Sequence, residues 1–408
     1  MKLKPIFEKL SDEMSLELEN ILEFWSAKTI DKQAGGFVGQ VDQDGTIDFK
    51  ASKGVVLNAR LLWTFSAAYR IIGSEKLESL ANRAYEYLLN YAWDKENGGL
   101  YWELDYEGNP VNTRKQAYAQ GFGIYALSEY YMATGNSESL EYAKKLYSIL
   151  ENHFLDVENG GYIEALDKDW KPMADMRLSE KDANFPKSMN THLHILEPYT
   201  NLYRVWKTDE LKSKIAHILD VFQNRIINPE TGHFTLFFEM DWTRRCDIVS
   251  YGHDIEGAWL LHEAAHEIED AERIKTIQKS ALRLVNVTLN EGTDTDGSLF
   301  YERDGEHLVS DKHWWPQVEA MVGLMDAWEI SGEKKYLDEI VRVWEFIKEN
   351  IIDYENGEWF GRVDRKNEPV QSEDKVGFWK CPYHNTRAMI EMMNRIQKAL
   401  EQNSFVED

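Results

Sequence analysis

The sequence predicts an all-α fold, an (α/α)6 barrel with short β-hairpins between helical pairs, with residues 1–408 forming one domain. Three observations predict it. Short glycine-marked segments recur six times, each interval between them holds about two amphipathic helix-length stretches, and no Pro/Gly/Ser-rich linker interrupts the chain.

The first element, residues 4–28, has periodic apolar positions separated by charges, so it reads as an amphipathic helix rather than an export signal. Hairpin segments then start at Gly35, Gly98, Gly160, Gly232, Gly297 and Gly357, separated by 63, 62, 72, 65 and 60 residues. "GGFVGQVDQDG" and "GGLYWELDYEGNP" show the pattern, a short aromatic-rich strand followed by an Asp/Gly turn. Helix pairs are expected between them, such as 54–71 with 74–92 and 313–330 with 334–349, and a last helix over about 378–400. Twelve helices result. If the terminal helices pair, six helical hairpins close into a ring with an inner and an outer layer; an open solenoid would leave its ends apart.

A formal net charge of −25 argues against nonspecific nucleic-acid binding, which needs clustered Lys and Arg. Cys246 and Cys381 are too few for a disulfide framework, and no 18-residue uncharged apolar run occurs, so a soluble cytoplasmic protein without a membrane partner is expected. The 14 Trp, 20 Tyr and 17 Phe exceed simple core filling and suit an amphipathic ligand such as a sugar.

"YGHDIEGAWLLHEAAHEI" offers two rival sites on one helix. His262-Glu263-Ala264-Ala265-His266 matches the H-E-x-x-H zinc pattern. Repeat alignment sets His262 against Phe65, Leu127 and Leu324, and His266 against Tyr69, Tyr131 and Trp328, so packing is expected there and no metal. His253 lies half a turn around the helix from His262, with Glu256 on its own face, and is assigned to the cavity.

In "MNTHLHILEPYT", His192 and His194 cannot face one pocket together; His194 shares a face with Asn190 and Glu197 and aligns with Arg60 of "NARLLWTF". "GFWKCPYHNTRAM" places Pro382 at a helix start with His384 and Arg387 on one face, while Cys381 lacks a sequential base and is expected to be inert. Trp314, Trp315, Trp379 and Tyr118 complete an aromatic cup.

Together with "GHDIEGAWLL" and "DKHWWPQVEA", these stretches resemble the N-acylglucosamine 2-epimerase family across nearly the whole chain. The resemblance implies conversion of the reducing-end glucose of cellobiose or lactose to mannose, without metal or redox cofactor. It maps the family histidines onto His194, His253 and His384, the clamp onto Arg60, the carboxylate onto Glu256 and the aromatic wall onto Trp315 and Trp379; Asn190, Asp182 and Tyr118 follow as hydroxyl contacts. Ring opening makes the C2–H acidic, and imidazoles suit its transfer. His384 and His253 are the expected acid/base pair, with Glu256 orienting or charge-stabilising His253 and with His194 and Arg60 polarising O1 and O2. Two histidines on opposite faces, or one histidine with sugar rotation, would each give inversion. N-acylglucosamine 2-epimerase, mannose isomerase, an (α/α)6 glycoside hydrolase and a noncatalytic sugar-binding scaffold remain alternatives, and a monomer or weak homodimer is expected.

Overall fold

Twelve α-helices run through residues 3–402, the part of the chain that the computed structural model describes. They are α1 (Leu3–Lys28), α2 (Val55–Ile72), α3 (Glu75–Tyr87), α4 (Ala117–Thr134), α5 (Ser137–Ile149), α6 (Met189–Val205), α7 (Asp209–Val221), α8 (Tyr251–Glu267), α9 (Ala271–Glu291), α10 (Trp314–Ser331), α11 (Lys334–Phe346) and α12 (Tyr383–Glu401). The even-numbered helices form the inner layer: α2, α4, α6, α8, α10 and α12 touch in sequence, and α12 touches α2. Burial follows the layer. In α4 every residue from Ala117 to Tyr130 is buried, whereas α11 buries one stripe, Tyr336, Leu337, Ile340, Val343, Trp344 and Phe346. The terminal helices α1 and α12 pair, so the (α/α)6 ring expected from the repeats is closed.

The six glycine segments do more than turn the chain. Gly35, Gly98, Gly160, Gly232, Gly297 and Gly357 all have φ between 76° and 92°, a region open to glycine at little cost. Each turn is closed by one β-bridge, such as Trp93 to Leu100 or Leu155 to Tyr162. The short strand before an inner helix then pairs with the hairpin of the next unit: Lys53–Gly54 with Glu103–Leu104, Lys115–Gln116 with Ala165–Leu166, Lys187–Ser188 with Phe237–Phe238, Ile248–Ser250 with Glu302–Asp304, and Lys312–His313 with Arg362–Val363. A sixth link, Val41 to Val376, joins the last unit to the first. These links hold the inner-helix N-termini around one end of the ring. The last helix begins at Tyr383, later than the expected 378, because Pro382 caps it and the preceding loop carries Trp379 to the cleft.

Buried ion pairs staple the same turns. Lys53 reaches Asp31 at 2.7 Å, Lys115 reaches Asp94 at 2.9 Å, Lys187 reaches Asp156 at 2.6 Å and Lys375 reaches Asp353 at 2.7 Å. Each of these lysines also donates to the carbonyl of the first turn glycine, at 3.0 Å for Gly35 and 2.9 Å for Gly98, Gly160 and Gly357. In the fifth unit Lys312 lies 3.1 Å from Asp294 and 2.9 Å from Asp296. In the fourth, the aspartate position holds Asn228, which keeps the turn's backbone bonds to Gly232 and His233, and the lysine position holds Val249. Both charges are absent together, so neither is stranded. Among the described residues no helix is long and apolar enough to cross a membrane.

Lys115→Val should destabilise the protein by about 3–5 kcal/mol, the cost of leaving a buried charge unpaired. Adding Asp94→Asn, which copies the fourth unit, should recover a large part of that loss in urea denaturation; a double variant as unstable as Lys115→Val would refute the staple.

Candidate active site

The turns also fix the inner helices in register. In four of the six units the amide after the glycine turn donates to one helix side chain: Leu100 N to Gln120 Oε1 at 2.7 Å, Tyr162 N to His192 Nε2 at 2.8 Å, Phe234 N to Asp254 Oδ1 at 2.8 Å and Leu299 N to Gln317 Oε1 at 2.7 Å. Fifteen positions after Gln120, Asp254 and Gln317 the chain turns left-handed, at Gly135, Glu269 and Gly332; Gly73 places Asn58 in the same frame on α2. Two residues beyond these anchors stand Arg60, Phe122, His194, Glu256 and Glu319. One level of the barrel therefore carries the charged groups.

At that level lies a cleft of about 390 Å³. All the residues assigned to the site from the sequence line it: Arg60, Tyr118, Asp182, Asn190, His194, His253, Glu256, Trp314, Trp315, Trp379 and His384. Asp182 comes from the loop between the third hairpin and α6, where its carboxylate accepts the amide and hydroxyl of Ser179 at 2.9 and 2.7 Å. His194 sits at a break in α6: Pro198 has no N–H to donate to its carbonyl, and His194 takes φ −89°, ψ 17°. On α4, Gly121 makes room for that carbonyl, since a Cβ there would lie 2.2 Å from the oxygen. His194 Nδ1 then meets Glu197 Oε2 at 3.0 Å, as their shared face predicts.

Arg387 is the centre of the floor. It contacts Glu197 and Tyr383 closely through Nη1, and through Nη2 donates to Glu256 Oε1 at 2.7 Å and Glu319 Oε1 at 2.6 Å. Three buried carboxylates thus share one guanidinium. Burial, then the Glu319 charge, pushes Glu256 up to about 7. Glu319 is also raised by burial, against the pull of Arg387. Glu197 goes the other way: burial opposes its charge, but Arg387 and the bonds from His194 and Tyr383 prevail and hold it down to about 2.

The histidines differ in how they are held. His384 Nδ1 lies 2.6 Å from Glu319 Oε1, which assigns the proton to Nδ1 and leaves Nε2 with its lone pair. His253 Nδ1 pairs with Ser250 Oγ at 2.7 Å. The Trp315 ring lies 4.8 Å from His253 and 5.5 Å from His384. Burial, with Arg60 and Arg387 behind it, holds His384 well below its ordinary value, and burial, then His194, holds His253 down to about 3. Both imidazoles are therefore neutral at pH 7. Arg60 donates to the Tyr118 hydroxyl at 2.8 Å and lies 4.3 Å from the Phe122 ring and 4.9 Å from the Tyr383 ring. Among the described residues no carboxylate pairs with Arg60.

Two expectations are corrected. Glu256 does not orient His253: Arg387 holds its Oε1, and Ser250 holds the imidazole. The H-E-x-x-H slots were placed one residue out. In the structural register His262 matches Ser66, Ser128, Thr200 and Met325, and His266 matches Arg70, Met132, Arg204 and Glu329, positions that are largely polar. Unequal repeat lengths let the apolar matching slip. His262 is held by polar contact instead, 2.9 Å from Asp326 Oδ1. Sequence reasoning also passed over Glu319, although it lies in the quoted "DKHWWPQVEA"; the corrected register, which equates it with Glu256, would have found it. Trp314 is buried, with the Lys380 ammonium 4.2 Å from its ring, and Trp315 is the more open of the pair.

Residues 35–388 match the family model described as N-acylglucosamine 2-epimerase (GlcNAc 2-epimerase). The chain belongs to the N-acylglucosamine 2-epimerase family. Within that family it is 46% identical to the cellobiose 2-epimerase of Bacteroides fragilis, over 95% of this chain and 99% of that protein. The structure of cellobiose 2-epimerase from Bacillus thermoamylovorans B4167 superposes with TM-score 0.91 at 40% identity, covering 95% of this chain and 100% of that one. That of Spirochaeta thermophila DSM 6192 gives 0.92 at 35% identity, covering 98% and 99%.

The raised Glu256 carboxyl has a consequence for stability. A carboxyl whose folded value lies above its unfolded one contributes its stability below the unfolded value and loses it as pH rises through the folded value. The contribution of Glu256 should therefore decline between pH 4.5 and about 7, against the opposite trend set by the depressed His253 and His384, so across that window stability should rise more, or fall less, with pH in Glu256→Gln than in the native protein, in urea titrations at several pH values. An unchanged slope would show that Glu256 ionises normally.

Proposed function

We propose that the protein is a cofactor-independent sugar 2-epimerase that reversibly converts the reducing-end glucose of cellobiose or lactose to mannose. The observation that carries this reading is the pair of neutral imidazoles, His253 and His384, flanking Trp315 in the same cleft as Arg60, a cation with which no carboxylate among the described residues pairs. Such a set can move a proton on and off carbon and hold the charge left behind.

Ring opening exposes the C1 aldehyde. His384 Nε2 takes the C2 proton, the C–H electron pair forms the C1–C2 double bond, and negative charge gathers on O1. Arg60 and His194 stabilise that oxygen. Return of a proton to the other face gives the mannose configuration: His253, neutral in the empty cleft, takes up a proton from water as the enediolate charge develops and delivers it to C2, while His384 gives up the one it removed; rotation of the open chain would instead let His384 return its own proton. Glu319 is a positioning residue that fixes the His384 tautomer, and Asn190, Asp182 and Tyr118 are hydroxyl contacts. A cleft of about 390 Å³ falls within the small-molecule range of roughly 300–1,000 Å³, and Trp315 and Trp379 offer flat faces to sugar rings. The disaccharide choice is supported by the cellobiose 2-epimerase relatives.

Incubation with cellobiose in D2O should yield glucosyl-mannose carrying deuterium at C2. Stoichiometric free glucose without that product would reverse the reading in favour of hydrolysis. His384→Asn should keep the fold and lower both epimerisation and C2 exchange by at least about 10²-fold, the lower range for loss of general acid/base catalysis. Near-native exchange from both cellobiose and its epimer would remove His384 from proton transfer.

A further inference from the structure

The H-E-x-x-H pair on α8 lies outside the cleft, and the proposed reaction uses neither histidine. Its geometry is nevertheless specific. The His262 and His266 rings meet edge to face with centroids 4.5 Å apart, and their Nε2 atoms are 3.0 Å apart. His262 Nδ1 lies 2.9 Å from Asp326 Oδ1, a carboxylate on α10 that fixes the proton on Nδ1 and turns the Nε2 lone pair toward His266. Histidine ligands of metal ions are oriented by such an outer carboxylate. His266 is exposed, so the pair opens to solvent.

We propose that His262 and His266 bind one divalent cation of the copper(II) or nickel(II) class through their two Nε2 atoms, with water completing the shell. The separation admits such an ion. With metal–nitrogen bonds of about 2.0–2.1 Å, ligands at a right angle stand about 2.9 Å apart and tetrahedral ones about 3.3 Å. The 3.0 Å of the hydrogen-bonded, ion-free pair lies close to the right-angle value, so little movement admits an ion, and imidazole ligands favour nickel(II) and copper(II), at the tight end of the divalent series. In the ion-free pair the His266 Nε2–H donates to His262 Nε2; on binding, that proton moves to Nδ1 of His266 and both Nε2 lone pairs meet the cation.

The surroundings tolerate the added charge. Arg395 is matched by Asp326 at 3.2 Å, Glu391 at 3.3 Å and Glu329 at 2.5 Å, which leaves Lys398 as the further cation facing His266. The site binds without hydrolysing. Glu263, the residue that would activate water in a zinc peptidase, points instead to Arg204 at 2.7 Å. Glu256, Glu319 and His384 also lie within common ligand reach, but Arg387 already occupies two of those carboxylates.

Copper(II) titrated into the untagged full-length protein at neutral pH, followed by electron paramagnetic resonance, tests the site. One equivalent should give a tetragonal signal with coupling to two nitrogens. His266→Ala changes an exposed ring; it should weaken copper binding at least about tenfold, as loss of an ordered site contact does, abolish the two-nitrogen pattern and leave cellobiose epimerisation unchanged. Equal copper uptake by His266→Ala, a signal without paired nitrogen coupling, or no uptake by the native protein would each overturn the proposal.

Discussion

A guanidinium buried among three carboxylates sets the terms for the whole cleft. Arg387 faces Glu197, Glu256 and Glu319, so its one positive charge cannot neutralise all three. The shortfall is met unevenly: Glu197 keeps its charge, while Glu256 is pushed toward holding a proton near neutral pH. Each carboxylate then does a different local task. Glu197 takes the His194 Nδ1 contact, Glu319 takes that of His384, and Glu256 presents a buried Oε2 without a partner at the cleft wall. Removing the arginine would leave buried acids uncompensated, which is far costlier than exchanging a whole ion pair for apolar side chains.

The cluster can form because the ring puts these residues at one height. Helices from distant parts of the chain supply α6, α8, α10 and α12 groups to one arginine, and only a fixed register brings them within hydrogen-bond range. The register comes from the hairpins, whose amides grip the helix anchors and whose lysine–aspartate pairs close the turns. His194 is the exception that the scaffold must accommodate. Its helix breaks at Pro198, and the glycine opposite admits the displaced carbonyl.

Much of this was legible in the sequence because it is periodic. Glycine spacing announced six units, apolar periodicity announced paired helices, and the face shared by His194 and Glu197 follows from helical geometry. The partners of Glu256 were not legible: Ser250, Glu256 and His253 are neighbours in sequence, while Arg387 is 131 residues from Glu256. Local spacing therefore favoured a His253–Glu256 pair that the barrel does not make. The H-E-x-x-H register failed for a related reason. Apolar residues on both sides of a polar slot look alike to an alignment, and a slip of one residue exchanges Ser66 and Ser128 for Phe65 and Leu127. The amide contacts that fix the register exist only in three dimensions.

The electrostatics also revise a simple view of imidazole catalysis. A histidine near its ordinary value would be partly charged before substrate arrives, and so partly unable to accept a proton from carbon. Burial beside Arg60 and Arg387 keeps His384 neutral, with its lone pair available. That same depression would make its conjugate acid unstable in the empty cleft. In the proposed reaction the proton transfer creates an enediolate beside the new imidazolium, and the attraction between opposite charges in a dry site offsets the cost of burial. In that proposed reaction Arg60 would favour the enediolate directly, because among the described residues no carboxylate pairs with it. Its contacts are a phenol, aromatic faces and the Cys381 sulfur at 3.8 Å, none of which cancels its charge. The cleft thus keeps its compensated cation, Arg387, in the floor to set histidine tautomers, and leaves the uncompensated one facing the oxygen on which charge would develop.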